Sequence, residues 1–418
     1  MPHSPAPADL IDSRYAFWRL VVSLLIMLMG SSCMFAVAVV LPQVQAEFGI
    51  SRSEASLPYT LMMVGFGVGG LFMGRVVDRY GVSVALLIGS GGILLGFLWS
   101  SVSEGIVGFT LAHGLFLGLL GTSATFAPLV ADTSLWWNKR RGIAVAVCAS
   151  GNYLAGAVWP NIANWGIDSV GWRETYFWMG IVCSISMALL SLLLRRRPPL
   201  SVSTPSASTG VVASSRPFGL STGHAQTLLI IAGLSCCVAM AMPQVHIVAY
   251  CVDLGYGPAR GAEMLSLMLG FGVVSRLLSG VICDKIGGIR TLLLGSLLQG
   301  LALLMFLPFD GLVSLYVVSA VFGLFQGGIV PSYAIIIREH FPPAETGRRV
   351  GAVIMATMLG MALGGWLSGY IFDLTGSYDF ALINGVLWNA VNLTIVLWLL
   401  WRLKTQVSTP ATGLSTIS

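Results

Sequence analysis

The chain has 418 residues, 56% of them hydrophobic and only 9% charged, with a formal net charge of +5. Soluble domains carry about 25% charged residues, so this balance, with a mean hydropathy of +0.85, excludes a water-soluble globule and implies a protein whose solvent is lipid. The basic residues form no continuous face, which excludes a nucleic-acid partner; they fall in short clusters between apolar runs, as topology signals do.

Along the chain, the opening MPHSPAPADLIDSRY is polar and proline-rich, and the apolar segment after it is too long for a cleaved signal peptide. A transmembrane helix needs about 20 mainly apolar residues. Twelve runs qualify, near 18–42, 53–75, 82–102, 105–132, 142–165 and 173–194, then 224–251, 262–282, 289–308, 312–337, 350–372 and 379–401. The expected fold is an all-α membrane protein. Between the sixth and seventh runs, RRRPPLSVSTPSASTG is basic and then rich in Ser, Thr and Pro, the composition of a flexible linker. The chain therefore divides into a bundle over 1–194, a linker over 195–223 and a bundle over 224–418. Fifty glycines suit close helix packing in lipid. Seven cysteines form no CxxC pair, so they are expected to be buried thiols, with no metal and no cofactor.

Orientation follows from charge. With both termini and the linker in the cytoplasm, only Arg52, Arg173 and Arg260 fall outside, and Arg276 alone is assigned to neither surface. The expected location is a cell membrane, the inner membrane if the source is bacterial, with the bilayer as surroundings and a monomer as the working unit.

The halves repeat. GRVVDRYG after the second run (Gly74, Asp78, Arg79, Gly81) matches GVICDKIG after the eighth (Gly280, Asp284, Lys285, Gly287). An acid, a basic residue and two glycines recur at one spacing, which points to duplication of six plus six. The pattern resembles the major facilitator superfamily over essentially the whole chain. The resemblance implies twelve helices in two six-helix bundles around a central cavity that opens alternately to each side. It also implies that these loop residues form a conformational latch, in which Asp78 or Asp284 lies against the positive end of a neighbouring helix.

WWNKRRG (136–142), GWRE (171–174), the arginine of the eighth run and FDLTGSY (372–378) are similar to the monocarboxylate porters and the oxalate–formate antiporter. Two departures stand out. Carriers of that group in animals have an acidic residue one turn before the arginine, where this chain has Gly272, and the eleventh run lacks the lysine of the oxalate carrier. The resemblance places runs one, four, seven and ten around the cavity, where Ser32, Thr122 and Gln326 are candidate substrate ligands, with Asn152 and Tyr153 on run five. Serine and threonine at such positions also bond their own helix, so both readings stand.

Arg276 is the sharpest signal. Eight residues from Asp284 place it about 12 Å deep in a core about 30 Å thick, where facing lipid costs at least about 2.5–3.5 kcal/mol. No acid lies at mid-depth in any run, so a substrate carboxylate is the natural partner of the guanidinium fork; a structural arginine is the alternative. His246 in PQVHIVAY (243–250) and His113 are candidate proton sites, or polar residues in helix interfaces. Together these features describe a secondary transporter of a small organic anion, a monocarboxylate, by alternating access with a coupled proton, and not an enzyme. A proton-driven exporter of drugs or metabolites is the first alternative and a transport-inactive receptor the second.

Overall fold

In lipid no water meets the backbone, so each apolar run must satisfy its N–H and C=O groups internally, and a helix does so. The structure, a computed structural model, describes residues 10–197, 217–342 and 345–407; most of the expected linker, 198–216, lies outside the described residues. Twelve helices are long and apolar enough to span a membrane: α1 (Arg14–Phe48), α2 (Arg52–Tyr80), α3 (Val82–Ser101), α4 (Ile106–Trp136), α5 (Arg141–Val170), α6 (Trp172–Leu192), α7 (Thr222–Asp253), α8 (Pro258–Ile286), α9 (Gly288–Met305), α10 (Leu312–His340), α11 (Thr346–Thr375) and α12 (Asp379–Thr405). The helices outrun the apolar windows. As a result Gly74, Asp78 and Arg79 sit on the last turns of α2, and Gly280, Asp284 and Lys285 on those of α8, and not in loops as the sequence suggested.

The turns show the repetition more deeply than the loop motif does. Gly81, Gly171, Gly287 and Gly376 have φ of 91°, 85°, 81° and 70°. Each donates its N–H to the carbonyl four residues back, on Val77, Ile167, Cys283 and Phe372. The first three, with ψ of 164°, 163° and 164°, lie where only glycine goes without strain, and Gly376, with ψ of 7°, is left-handed helical, which also favours glycine. Each turn joins the second and third helices of a three-helix unit, so the unit recurs four times and not only twice.

We call the end where α1 begins and α12 finishes the basic face, and the opposite end the far face. The halves meet through α2 against α11 and α5 against α8. Toward the far face the join is dense, with residues 31–41 of α1 and 235–251 of α7 buried without interruption. A Cβ on Gly369 of α11 would come within 2.8 Å of the Arg52 carbonyl, and one on Gly365 within 3.2 Å of the Tyr59 ring. Toward the basic face, a Cβ on Gly70, Gly74, Gly142, Gly280, Gly347 or Gly351 would meet nothing within 4 Å. Among α2, α5, α8 and α11, the close approach of one half to the other at Gly365 and Gly369 lies toward the far face, and the open glycines lie toward the basic face, the looser side.

Burial extends to more arginines than the one left between the two surfaces: Arg276 is 8% exposed, and Arg19 (4%), Arg52 (7%) and Arg349 (8%) are buried as deeply. Those three lie near helix ends, where a carboxylate can reach them. Arg19 pairs with Asp132 at 2.7 Å, Arg52 with Asp253 at 3.0 Å, and Arg349 with Glu345.

Candidate functional site

Three helices are irregular at mid-depth. α1 breaks at Ser31, α4 runs through a widened stretch (Ala112–Gly121) and a tight turn (Thr122–Ala124), and α10 breaks at Gly327–Gly328. Each break frees backbone groups that must find partners away from water. Of the polar residues singled out in the sequence, Thr122 supplies one such partner, while Asn152 bonds side chains beside the α1 break. Thr122 donates to the Gly30 carbonyl at 3.3 Å, and Asn152 donates to Ser31 Oγ at 3.2 Å and to the Met34 sulfur at 3.6 Å. Ser32 is buried in the same region, its hydroxyl without a hydrogen-bond partner among the described residues. Thr122, Ser32 and Asn152 are therefore held in the packing of the first half.

Arg276 bridges the halves. Its Nη1 donates to the Ala149 carbonyl of α5 at 2.7 Å, and its Nε to the Gly327 carbonyl in the α10 break at 3.3 Å. Ser275 Oγ accepts from the Gly327 N–H at 3.1 Å. The guanidinium lies over the Tyr153 ring, 4.1 Å from its centroid. A Cβ on Gly272 would come within 2.9 Å of that ring. Tyr153 thus fills the space beside Gly272 and gives Arg276 an aromatic face. Carbonyls and a ring orient the cation without cancelling its charge. Next to Gly327, fully buried Gln326 accepts from Gln244 of α7 at 2.7 Å, while its own Nε2 has no partner among the described residues. Arg276 and Tyr153 stand together, with Gln326 on the neighbouring turn; the amide of Asn152 points instead to α1.

The far-face seal was not foreseen. Arg52 Nη2 pairs with Asp253, its Nη1 donates to Tyr378 Oη at 3.1 Å, and its Cζ lies 4.7 Å from the Phe372 ring centroid. Asp373 accepts from the N–H groups of Arg52 and Ser53, both at 2.8 Å, so a carboxylate of the second half caps α2 of the first. Thr60 donates to the Ala362 carbonyl at 3.1 Å one layer deeper. Phe372, Asp373 and Tyr378 are the ends of FDLTGSY, with turn glycine Gly376 between them. His246, fully buried, lies under this seal with Nδ1 3.1 Å from Tyr378 Oη and Nε2 2.8 Å from the Gly365 carbonyl. His113 is elsewhere: it donates from Nδ1 to Phe109 at 2.8 Å and stacks near Tyr176, with neighbours that all belong to the first half.

Comparison with known proteins agrees with this architecture. The profile of the Major Facilitator Superfamily matches residues 20–318 and 264–415. The chain belongs to the major facilitator superfamily. It is 29% identical over 299 residues to monocarboxylate transporter 13 of Rattus norvegicus, covering 69% of this chain and 67% of that one. It is 25% identical to an MFS-type transporter of Gibberella moniliformis, over 88% and 86% of the two chains. Among solved structures it is similar to a bacterial homolog of the human lysosomal transporter Spinster, described as inward-facing and occupied. There the TM-score is 0.68 at 12% identity, over 96% of this chain and all of the other, which shows the shared fold.

Other motifs of this superfamily member have structural partners. In WWNKRRG, Trp136 lies 4.3 Å under the Arg19 guanidinium, and the N–H groups of Asn138 and Lys139 donate to Asp12. In GWRE, Trp172 and Arg173 both bond Glu47 at the end of α1. Asp78 and Asp284 are exposed, with no side-chain hydrogen bond among the described residues. The acid found at a helix start on the basic face is Glu339, whose carboxylate accepts from the Gly288 N–H at 3.2 Å.

Proposed function

We propose that this transporter moves a small organic anion, a monocarboxylate, by alternating access of its two halves (1–194 and 224–418) and with a coupled proton. In this reading the basic face is cytoplasmic, in a cell membrane, and the far face is outside. The observation that carries it is Arg276: buried at mid-depth, at the join of the halves, with no carboxylate among its partners in the described residues. A carboxylate entering from the loose side would exchange a neutral carbonyl for a charged acceptor whose two oxygens match the guanidinium fork. Leaving Ala149 for the ligand would also release a tie between α5 and α8, so binding and movement are linked. Gln326 Nε2 is the second donor on offer, and Tyr153 forms the wall. Asp78, Arg79, Asp284 and Lys285 act in the opposite state, when the basic face closes.

A screen of the purified chain for thermal stabilisation by carboxylates, sugars and amines tests this, because a ligand of the folded state raises its melting temperature. Monocarboxylates should stabilise the parent chain and fail to stabilise Arg276→Gln. Stabilisation by a neutral or cationic class alone would refute the anion reading.

A further inference from the structure

A single chain of hydrogen bonds crosses the far-face seal. Arg52 Nη1 donates to Tyr378 Oη, Tyr378 faces His246 Nδ1, and His246 Nε2 faces the Gly365 carbonyl, at 3.1, 3.1 and 2.8 Å. A carbonyl only accepts, so Nε2 carries the hydrogen. Nδ1 is then free to accept the phenol proton, provided the imidazole is neutral. A protonated imidazole would aim a second N–H at the Tyr378 oxygen. That oxygen already accepts from Arg52, and the phenol proton would lose its acceptor, a costly outcome in a buried place.

The surrounding groups offer no relief. Asp373 of α11 is occupied by the Arg52 and Ser53 N–H groups, and Asp253 at the end of α7 by the Arg52 side chain. Tyr250 of α7 packs on the Tyr378 ring, with Asp379 of α12 near it. From α8, Glu263 is taken up by Arg260 and Tyr316; from α1, Glu47 is taken up by Trp172 and Arg173. Two aspartates against one arginine could tolerate an added positive charge, so the direction of the bonds decides, not the net charge.

We propose that His246 is a proton-binding site controlling the outer seal: neutral while the halves are closed over it, protonated once they part and outside water reaches it. By linkage, protons from outside then favour the outward-open state. The proposal rests on the alternating halves of the proposed function and not on the charge of the substrate, so failure of anion binding and failure of this pH response are separate results.

The test uses the full-length chain in lipid nanodiscs, with spin labels at Val170→Cys and Val313→Cys. Both positions are exposed at the far ends of α5 and α10, and the native cysteines are buried. Between about pH 8 and about pH 5, the ratio of long to short distances should rise by up to about tenfold per pH unit while His246 titrates. His246→Gln keeps a donor and an acceptor but takes no proton, and should hold the short distance at both pH values. If the Gln variant does not insert, His246→Asn provides the same readout. Arg52→Ala should give the long distance throughout. A wild-type distance that ignores pH, or a glutamine or asparagine variant that responds as the wild type does, overturns the proposal.

Discussion

Arg52 and Arg276 are buried to nearly the same degree, and each joins the first half of the molecule to the second. Their partners differ in kind. Arg52 has a carboxylate, a phenol and an aromatic ring, and its own backbone N–H caps onto a second carboxylate. Arg276 has two carbonyls and a ring. A buried charge with its counter-ion is a finished interaction, and breaking it leaves an uncompensated partner. A buried charge held only by dipoles is oriented but still able to take an anion. In the proposed reading the difference separates a gate from a binding site, though both look like an arginine out of water.

The largest expected effect breaks the gate by bulk. Gly369→Leu puts a side chain where a Cβ alone comes within 2.8 Å of the Arg52 carbonyl and 2.9 Å of Ser56 Oγ. Backbone cannot yield as a flexible side chain can, so the seal should fail to close and uptake should fall to background in protein that inserts normally. Wild-type uptake would show that α2 and α11 do not need this close approach.

A smaller effect sharpens the other side. Gly272→Ala would push the Tyr153 ring off its place over Arg276. Overpacking of this kind costs about 1–3 kcal/mol, so the melting temperature should drop and anion binding should weaken while the far-face seal stays intact. An unchanged melting temperature would mean that the ring yields without cost.

The smallest effect concerns a residue outside both regions. Asp78→Asn should change the stability of the sealed-outside state by no more than about 0.5 kcal/mol, as surface substitutions do, yet slow uptake if Asp78 acts when the basic face closes. Equal uptake rates at matched expression would remove the latch role for α2.

These contrasts also mark what the sequence made legible. Twelve helices followed from apolar length, and the repeat from a glycine and acid spacing, because both are local. Arg276 was visible because an arginine inside an apolar run has no bland setting. Arg52 was not: it begins a helix directly after its Ser51 cap, where a basic residue is ordinary. Its partners Asp253 and Asp373 lie 201 and 321 residues away. One signal was available: Asp253 and Asp373 both fall at span ends on a face with few basic residues. FDLTGSY and GWRE were noticed as resemblances, but only folding shows that the first builds the seal and the second fastens α6 to α1. Thr122 and Asn152 were legible as polar residues in lipid, while the α1 break beside which both bond depends on tertiary packing.

The most direct measurement compares anion affinity in Arg276→Gln and Arg52→Ala, using matched amounts of protein and the carboxylate that stabilises the parent chain most. Losing a charge-assisted contact costs about 1.5–3 kcal/mol, so Arg276→Gln should bind roughly ten- to a hundred-fold more weakly. Arg52→Ala removes no contact to the anion and changes affinity only through the balance of states, so it should lose less than Arg276→Gln does. Parental affinity in Arg276→Gln, or an equal loss in both variants, would contradict the division into a binding arginine and a gating one.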